Sequence, residues 1–245
     1  MIVMKFGGTS VSSKKNLEQI KSILNKKEDN YIVVVSAFSQ VTNKLEAIAR
    51  HALKSDVTEL LEEFKAVHFE LISELFSTQH QTEIILRVQQ KCNELEAICK
   101  SIHILKELSP RTQASVLSFG ENLSAYILHK YLERGHIEIN LLDSSALIRA
   151  EGDYLNATVD LEKTTKNISD SVAHKNYIAG GFIASNKSDE IVTLGRGGSD
   201  YSASIYAHAA DAKYLEIWSD VNGMHSANPK IVNNTVSIKK ISYEE

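Results

Sequence analysis

The chain has 245 residues, 43% hydrophobic and 24% charged, enough apolar material to bury a large core in one large domain or two lobes. A formal net charge of −4 and a pI near 6.2 offer no general attraction to nucleic acid or membrane, so an anionic ligand needs a local basic site. The apolar start is too short for a secretory signal, and no run of about 18 apolar residues could span a bilayer, so a soluble cytoplasmic protein with no nucleic-acid or membrane partner is expected.

The first predicted strand, Ile2 to Phe6, empties into Lys5-Phe6-Gly7-Gly8-Thr9-Ser10. Paired glycines let backbone N–H groups close on an anion, Lys5 adds a mobile positive charge, and Thr9 and Ser10 add hydroxyl donors or a helix cap. An ordinary tight turn would use the same glycines. Further β-branched runs follow at 31–35, 137–142, 177–183, 191–194 and 214–218, separated by helical stretches. Continuous apolar runs such as Ile32-Val33-Val34-Val35 suit strands covered on both faces, so the fold class is α/β with a mostly parallel sheet. Residues 42–108 are almost free of glycine and proline, and apolar residues recur at three-and-four spacing (Leu61, Phe64, Leu71, Ile72, then Ile84, Val88, Cys92, Leu95, Cys99). This reads as a helical hairpin inserted into the sheet topology. Cys92 and Cys99, seven residues apart on one helix, are about 10 Å apart along its axis, too far to bridge, and are expected to be core thiols.

Ser109-Pro110 reads as an N-cap followed by proline at the first helical position. On that helix Glu121 shares a face with Leu117, Ala125, Leu128 and Leu132, and a buried carboxylate needs a cation, either a lysine or arginine of the protein or a ligand ammonium. Gly120 beside it suggests close approach of a ligand or another chain. Downstream, Gly195-Arg196-Gly197-Gly198-Ser199-Asp200 lies between a strand and a helix, a second candidate anion site: Ser199 can cap the helix and Arg196 can clamp a carboxylate or phosphate. Trp218-Ser219-Asp220-Val221-Asn222-Gly223-Met224, followed by Asn228-Pro229-Lys230, stands at a strand's carboxyl end, where open α/β sheets place ligands. The sequences GxxxxGK[ST] and GxGxxG are absent, against P-loop NTPases, Rossmann dehydrogenases and protein kinases, and the histidines show no zinc spacing.

In this order, KFGGTS, VVVSAFSQVTN, LSFGENLSA, GGFIAS, TLGRGGSDYSA and EIWSDVNGMHSANPK resemble the aspartate kinases of the amino-acid kinase family along essentially the whole chain. Residues 151–160 and the Ile217-Trp218 pair are similar to the kinase portion of bifunctional aspartokinase/homoserine dehydrogenases. The resemblance implies a carbamate kinase-like three-layer sandwich with a helical insertion at about 42–108. It places an aspartate-binding lobe at 1–192 and part of a nucleotide-binding lobe at 193–245. The implied reaction transfers the γ-phosphoryl group of Mg-ATP to the β-carboxylate of L-aspartate, the first step towards lysine, threonine and methionine.

By the same resemblance Lys5 and Asp200 are catalytic, Asp200 holding the lysine in place. Ser36, Thr42, Glu121, Phe182, Arg196 and Ser199 form the substrate pocket, with Glu121 answering the α-ammonium. Lys5, Gly7, Gly8, Thr9, Gly197, Gly198, Ser219, Asp220, His225 and Lys230 contact the nucleotide. No residue is assigned to Mg2+. Two departures stand out: His225 and Lys230 replace the more usual tyrosine and arginine, and the sequence stops at Glu245 where relatives continue. A truncated chain is therefore expected, from a full-length homo-oligomer, with two alternatives: an inactive substrate-binding fragment, or a kinase for another acidic amino acid.

Overall fold

The computed structural model describes residues 1–229 and 231–242. In chain order its elements are β1 (Ile2–Phe6), α1 (Gly8–Val11), α2 (Lys14–Leu24), β2 (Tyr31–Val35), α3 (Val41–Ala52), α4 (Thr58–Leu75), α5 (Thr78–Leu105), α6 (Pro110–Arg134), β3 (Asn140–Leu142), α7 (Ser144–Leu147), β4 (Ala150–Glu151), β5 (Thr158–Val159), α8 (Leu161–Ser171), β6 (Tyr177–Gly180), β7 (Ile183–Ser185), β8 (Ile191–Thr193), α9 (Gly198–Ala209) and β9 (Leu215–Trp218). The first two strands keep their predicted bounds. The run at 137–142 contracts to β3, and that at 177–183 divides into β6 and β7 because the chain turns at Gly181 and at Phe182, whose φ is 66°.

Five strands form one sheet in the order β3-β6-β2-β1-β9, and every neighbouring pair is parallel. Parallel neighbours require crossover connections, and the crossing helices cover both faces. Strand alternation divides the apolar side chains between two cores. Ile2, Met4 and Phe6 of β1 join Val33 and Val35 of β2 and the buried faces of α2 to α6. Val3, Ile32 and Val34 face the other way, onto Leu147 of α7, Ile168 of α8 and Tyr206 of α9. The result is the expected three-layer sandwich. Lys5 shares the face of Val3 and lies at the carboxyl end of a strand flanked on both sides, so its side chain is directed to α9.

The segment 42–108 departs from the expected hairpin. It contains three helices, α3, α4 and α5, because a turn at 53–57, where the Asp56 carboxylate accepts from Thr58 N–H at 2.7 Å, separates α3 from α4. Phe76 and Ser77 then join α4 to α5. His68 of α4 is fully buried against the rings of Phe38 and Phe64, and its Nδ1 donates to the Phe64 carbonyl at 2.7 Å. Burial pushes its pKa down to about 4, so it is a neutral space-filler under the loop that follows β2. Cys92 and Cys99 are buried and unbridged, and burial raises both thiols to about 11. Ser109 caps α6 as expected, accepting from Thr112 N–H at 3.1 Å with Pro110 at the first position. Among the described residues no helix is long and apolar enough to cross a membrane.

Candidate active site

Because β1, β2 and β6 are parallel, their carboxyl ends lie side by side, and the chain leaves each through a small-residue segment: Gly7-Gly8, Ser36-Ala37 and Gly180-Gly181. Beside these segments, at the start of α9, lies a cleft of about 280 Å³. Lys5, Ser36, Thr42 and Glu121 line it on one side, and Phe182, Gly195, Gly197, Gly198, Ser199 and Asp200 on the other. Residues spread over 195 positions thus meet at one sheet edge, where α/β folds place ligands.

Lys5 is nearly buried, and its Nζ lies 2.9 Å from Asp200 Oδ1 in the first turn of α9. Asp200 is half exposed, so the pair contributes little to stability and chiefly fixes where the ammonium points. The turn after β1 packs directly beside it: a Cβ on Gly7 would stand 3.7 Å from the lysine Nζ, and one on Gly8 2.8 Å from the Ala37 carbonyl. Thr9 falls into an adjoining hollow of about 200 Å³ with Phe6, Trp218, Ser219 and Asp220. The Trp218 ring stacks on Phe6, centroids 5.9 Å apart. The residues assigned to the nucleotide therefore divide: Lys5, Gly197 and Gly198 border the first cleft, Thr9, Ser219 and Asp220 the second. His225 borders neither; it pairs with Thr235 at 3.1 Å in a ribbon held by bonds between Ser226 and Val236 and between Ile238 and Met224. Lys230 lies outside the described residues.

Glu121 is 4% exposed, and its Oε2 has no hydrogen-bond partner among the described residues. Burial pushes its carboxyl up to about 7, against the pull of the backbone N–H groups of Ala37 and of Glu121 itself. No lysine or arginine among the described residues pairs with it. Gly120, expected to admit a ligand or another chain, instead admits a helix contact: a Cβ there would meet the Ala37 Cβ at 2.8 Å, with Val41 and Leu45 close behind.

The opposite wall is the glycine loop into α9. Gly197, at φ 70°, is the N-cap, a left-handed conformation glycine adopts without strain. Ser199, expected as the cap, is instead the second residue of the helix and lines the cleft. It sits so near β6 that a Cβ on Gly181 would stand 2.7 Å from the Ser199 Cα. Arg196 is exposed, and although its neighbours Gly195 and Gly197 line the cleft, its own side chain does not. Phe182 lies in the cleft wall with a left-handed backbone, a conformation costing an aromatic residue about 1–2 kcal/mol.

Three buried serines support the cleft. Ser124 donates to the Ser36 carbonyl at 2.8 Å, Ser144 donates to the Gly180 carbonyl at 2.5 Å, and Ser202 accepts from the Phe182 N–H at 2.8 Å. Ser144 has spent its proton, so the Tyr206 hydroxyl 2.9 Å away donates to it. None was singled out from the sequence. The available signal is position: Ser124 follows Glu121 by three, and Ser202 shares a helix face with Tyr206 and Ala209. Chemically, the cleft offers a buried carboxylate with one oxygen unpartnered among the described residues and a lysine anchored beside a glycine turn. That arrangement suits an amine-bearing ligand whose far end must meet an anion.

Comparison with known proteins is consistent with this layout. The model of the amino acid kinase family matches residues 1–245. A bifunctional aspartokinase/homoserine dehydrogenase of Buchnera aphidicola is 34% identical over 254 residues, covering 100% of this chain and 31% of the relative. An aspartokinase of Chlamydia muridarum is 31% identical over 248 residues, covering 100% of this chain and 53% of the relative. The chain thus spans roughly a third to a half of the curated relatives it matches. Among solved structures, that of Escherichia coli aspartokinase III in complex with aspartate and ADP superposes with a TM-score of 0.89 at 24% identity, covering 97% of this chain and 53% of that one.

Proposed function

The chain belongs to the amino acid kinase family, and from that premise we propose that it carries the substrate end of an aspartokinase, whose reaction is ATP-dependent phosphorylation of the β-carboxylate of L-aspartate. The observation that carries this reading is the buried carboxylate of Glu121, whose Oε2 has no partner among the described residues, in the same cleft as the anchored Lys5. Relatives named aspartokinases at 31–34% identity support it. The product, an aspartyl phosphate, would open the route to lysine, threonine and methionine.

Glu121 receives the α-ammonium, and Ser36, Thr42, Phe182 and Ser199 shape the cleft around the carbon chain. Arg196, exposed between the cleft-lining Gly195 and Gly197, engages a carboxylate of the substrate in this reading. The β-carboxylate is already ionised at neutral pH, so no general base is required; the barrier is the approach of two anions. Lys5, held by Asp200, offsets that repulsion, while the turn at Gly7, Gly8 and Thr9 and the residues Gly197 and Gly198 border the path of the phosphates. Ser219, Asp220, His225 and Lys230 belong to the nucleotide side in this reading. The Mg2+ that accompanies ATP would neutralise its phosphates and is held largely by them and by water.

The division at 1–192 and 193–245 is one of ligands rather than of cores, since β9 lies in the same sheet as β1. A cytoplasmic location and homo-oligomerisation at the length of the relatives are part of the same proposal. The test is a coupled assay of ADP release with L-aspartate, L-glutamate and N-acetyl-L-glutamate as acceptors, alongside calorimetric titration of this chain with L-aspartate. Turnover with glutamate but not aspartate would overturn the substrate; aspartate binding with no ADP release would leave a substrate-binding module.

A further inference from the structure

We infer that Ser202 is a positioning residue of the amino-acid site, its hydroxyl fastening the Phe182 peptide to the first turn of α9. The inference rests on reading the cleft as the amino-acid site. Ser202 is fully buried. It accepts from the Phe182 N–H at 2.8 Å and donates to the Gly198 carbonyl at 2.9 Å, so one hydroxyl joins two segments that line the cleft. Phe182 needs such a tether because its backbone is left-handed, at φ 66°, which a bulky residue adopts only when its surroundings hold it there. Its carbonyl is held as well, accepting from Leu194 N–H at 2.9 Å. The ring then packs over the helix start, where a Cβ on Gly198 would come within 2.7 Å of the Phe182 Cδ2.

The tether also sets the distance to Glu121. Gly180, two residues before Phe182, abuts the backbone of Glu121 so closely that a Cβ there would stand 3.0 Å from its carbonyl oxygen. The wall from Gly180 to Phe182 is therefore clamped between α6 on one side and α9 on the other, and Ser202 is the α9 clamp. Released from it, Phe182 would relax towards negative φ and swing the aromatic wall relative to the carboxylate that receives the ammonium.

The test compares Ser202→Ala with Ser202→Thr, which keeps the hydroxyl, using calorimetric titration with L-aspartate and amide hydrogen exchange at Phe182 in the unliganded chain. S202A should weaken L-aspartate binding about tenfold, the loss of roughly one hydrogen bond, and expose the Phe182 amide to exchange while Ile178 in β6 stays protected. S202T should keep both near wild type. Ile168→Ala, a change in the same core away from the cleft, controls for general destabilisation and should leave L-aspartate affinity unchanged. Wild-type affinity in folded S202A, or an equal loss in I168A, would overturn the role. So would an unprotected Phe182 amide in the wild-type chain, whether or not S202A folds. If the wild-type chain binds no L-aspartate while exchange at Phe182 follows the Ser202 hydroxyl, the functional reading fails and the tether stands.

Discussion

Glu121 gives the ligand-free protein a distinct pH response. Its folded pKa, about 7, lies above the value of 4.5 for an ordinary glutamate, so the folded state holds the proton more tightly than the unfolded one. Its contribution to stability is fully present below about pH 4.5 and is lost as pH rises through 7, a change on the order of 3 kcal/mol. Denaturant titrations between pH 5 and 8 should show this slope, and Glu121→Gln should flatten it, leaving the variant more stable than wild type at pH 8. The same variant should weaken L-aspartate at least tenfold, because the ammonium loses its counter-charge. If E121Q were no more stable at pH 8 and bound aspartate normally, the carboxylate would have neither role. Lys5 behaves differently, since its partner Asp200 is half exposed. Lys5→Ala should shift stability by less than about 1 kcal/mol and L-aspartate affinity little, yet lower phosphoryl transfer on the order of 100-fold or more in the coupled assay.

At the level of elements, the cleft depends on how closely the ends of β6, α6 and α9 approach. Gly181→Ala places a Cβ 2.7 Å from the Ser199 Cα, a clash with backbone that only a shift of α9 or β6 relieves. It should cost about 1–3 kcal/mol in thermal or denaturant unfolding and raise the aspartate requirement, because Ser199 and Phe182 move together. A fully stable G181A variant would show that the two elements are not locked. The helical insertion acts on the site from below: His68 of α4 packs against Phe38, two residues beyond Ser36. The strand runs, the cap of α6 and the helical character of 42–108 were legible in the sequence because they follow from local patterns of apolar spacing, glycine and proline. The break between α3 and α4 was not, since it falls in a stretch with neither proline nor glycine.

For the molecule as a whole, a ligand that binds only the folded state must stabilise it. L-Aspartate at about 100 times its dissociation constant should add about 2.7 kcal/mol, which for a chain of this size is a rise of roughly 5–10 °C in Tm. E121Q should show little of that rise, and an equal rise with both proteins would place the binding elsewhere. Sequence alone determined the α/β class with a mostly parallel sheet, through its apolar runs, and the candidates Lys5, Glu121 and the Gly195 to Asp200 loop, because glycine turns beside charges and a carboxylate on an apolar face are visible in one dimension. The family and its three-layer sandwich came from the resemblance of the ordered motifs. Only the tertiary structure decided how those candidates meet and what surrounds them. Parallel strand order sets Lys5 2.9 Å from Asp200, the crossing of α6 behind β2 and β6 leaves Glu121 with no lysine or arginine partner among the described residues, and Gly120 serves helix packing rather than a ligand. The supporting serines, too, emerged only in three dimensions. A hydroxyl on a helix carries no sign of its partner until folding brings a strand's end within 3 Å.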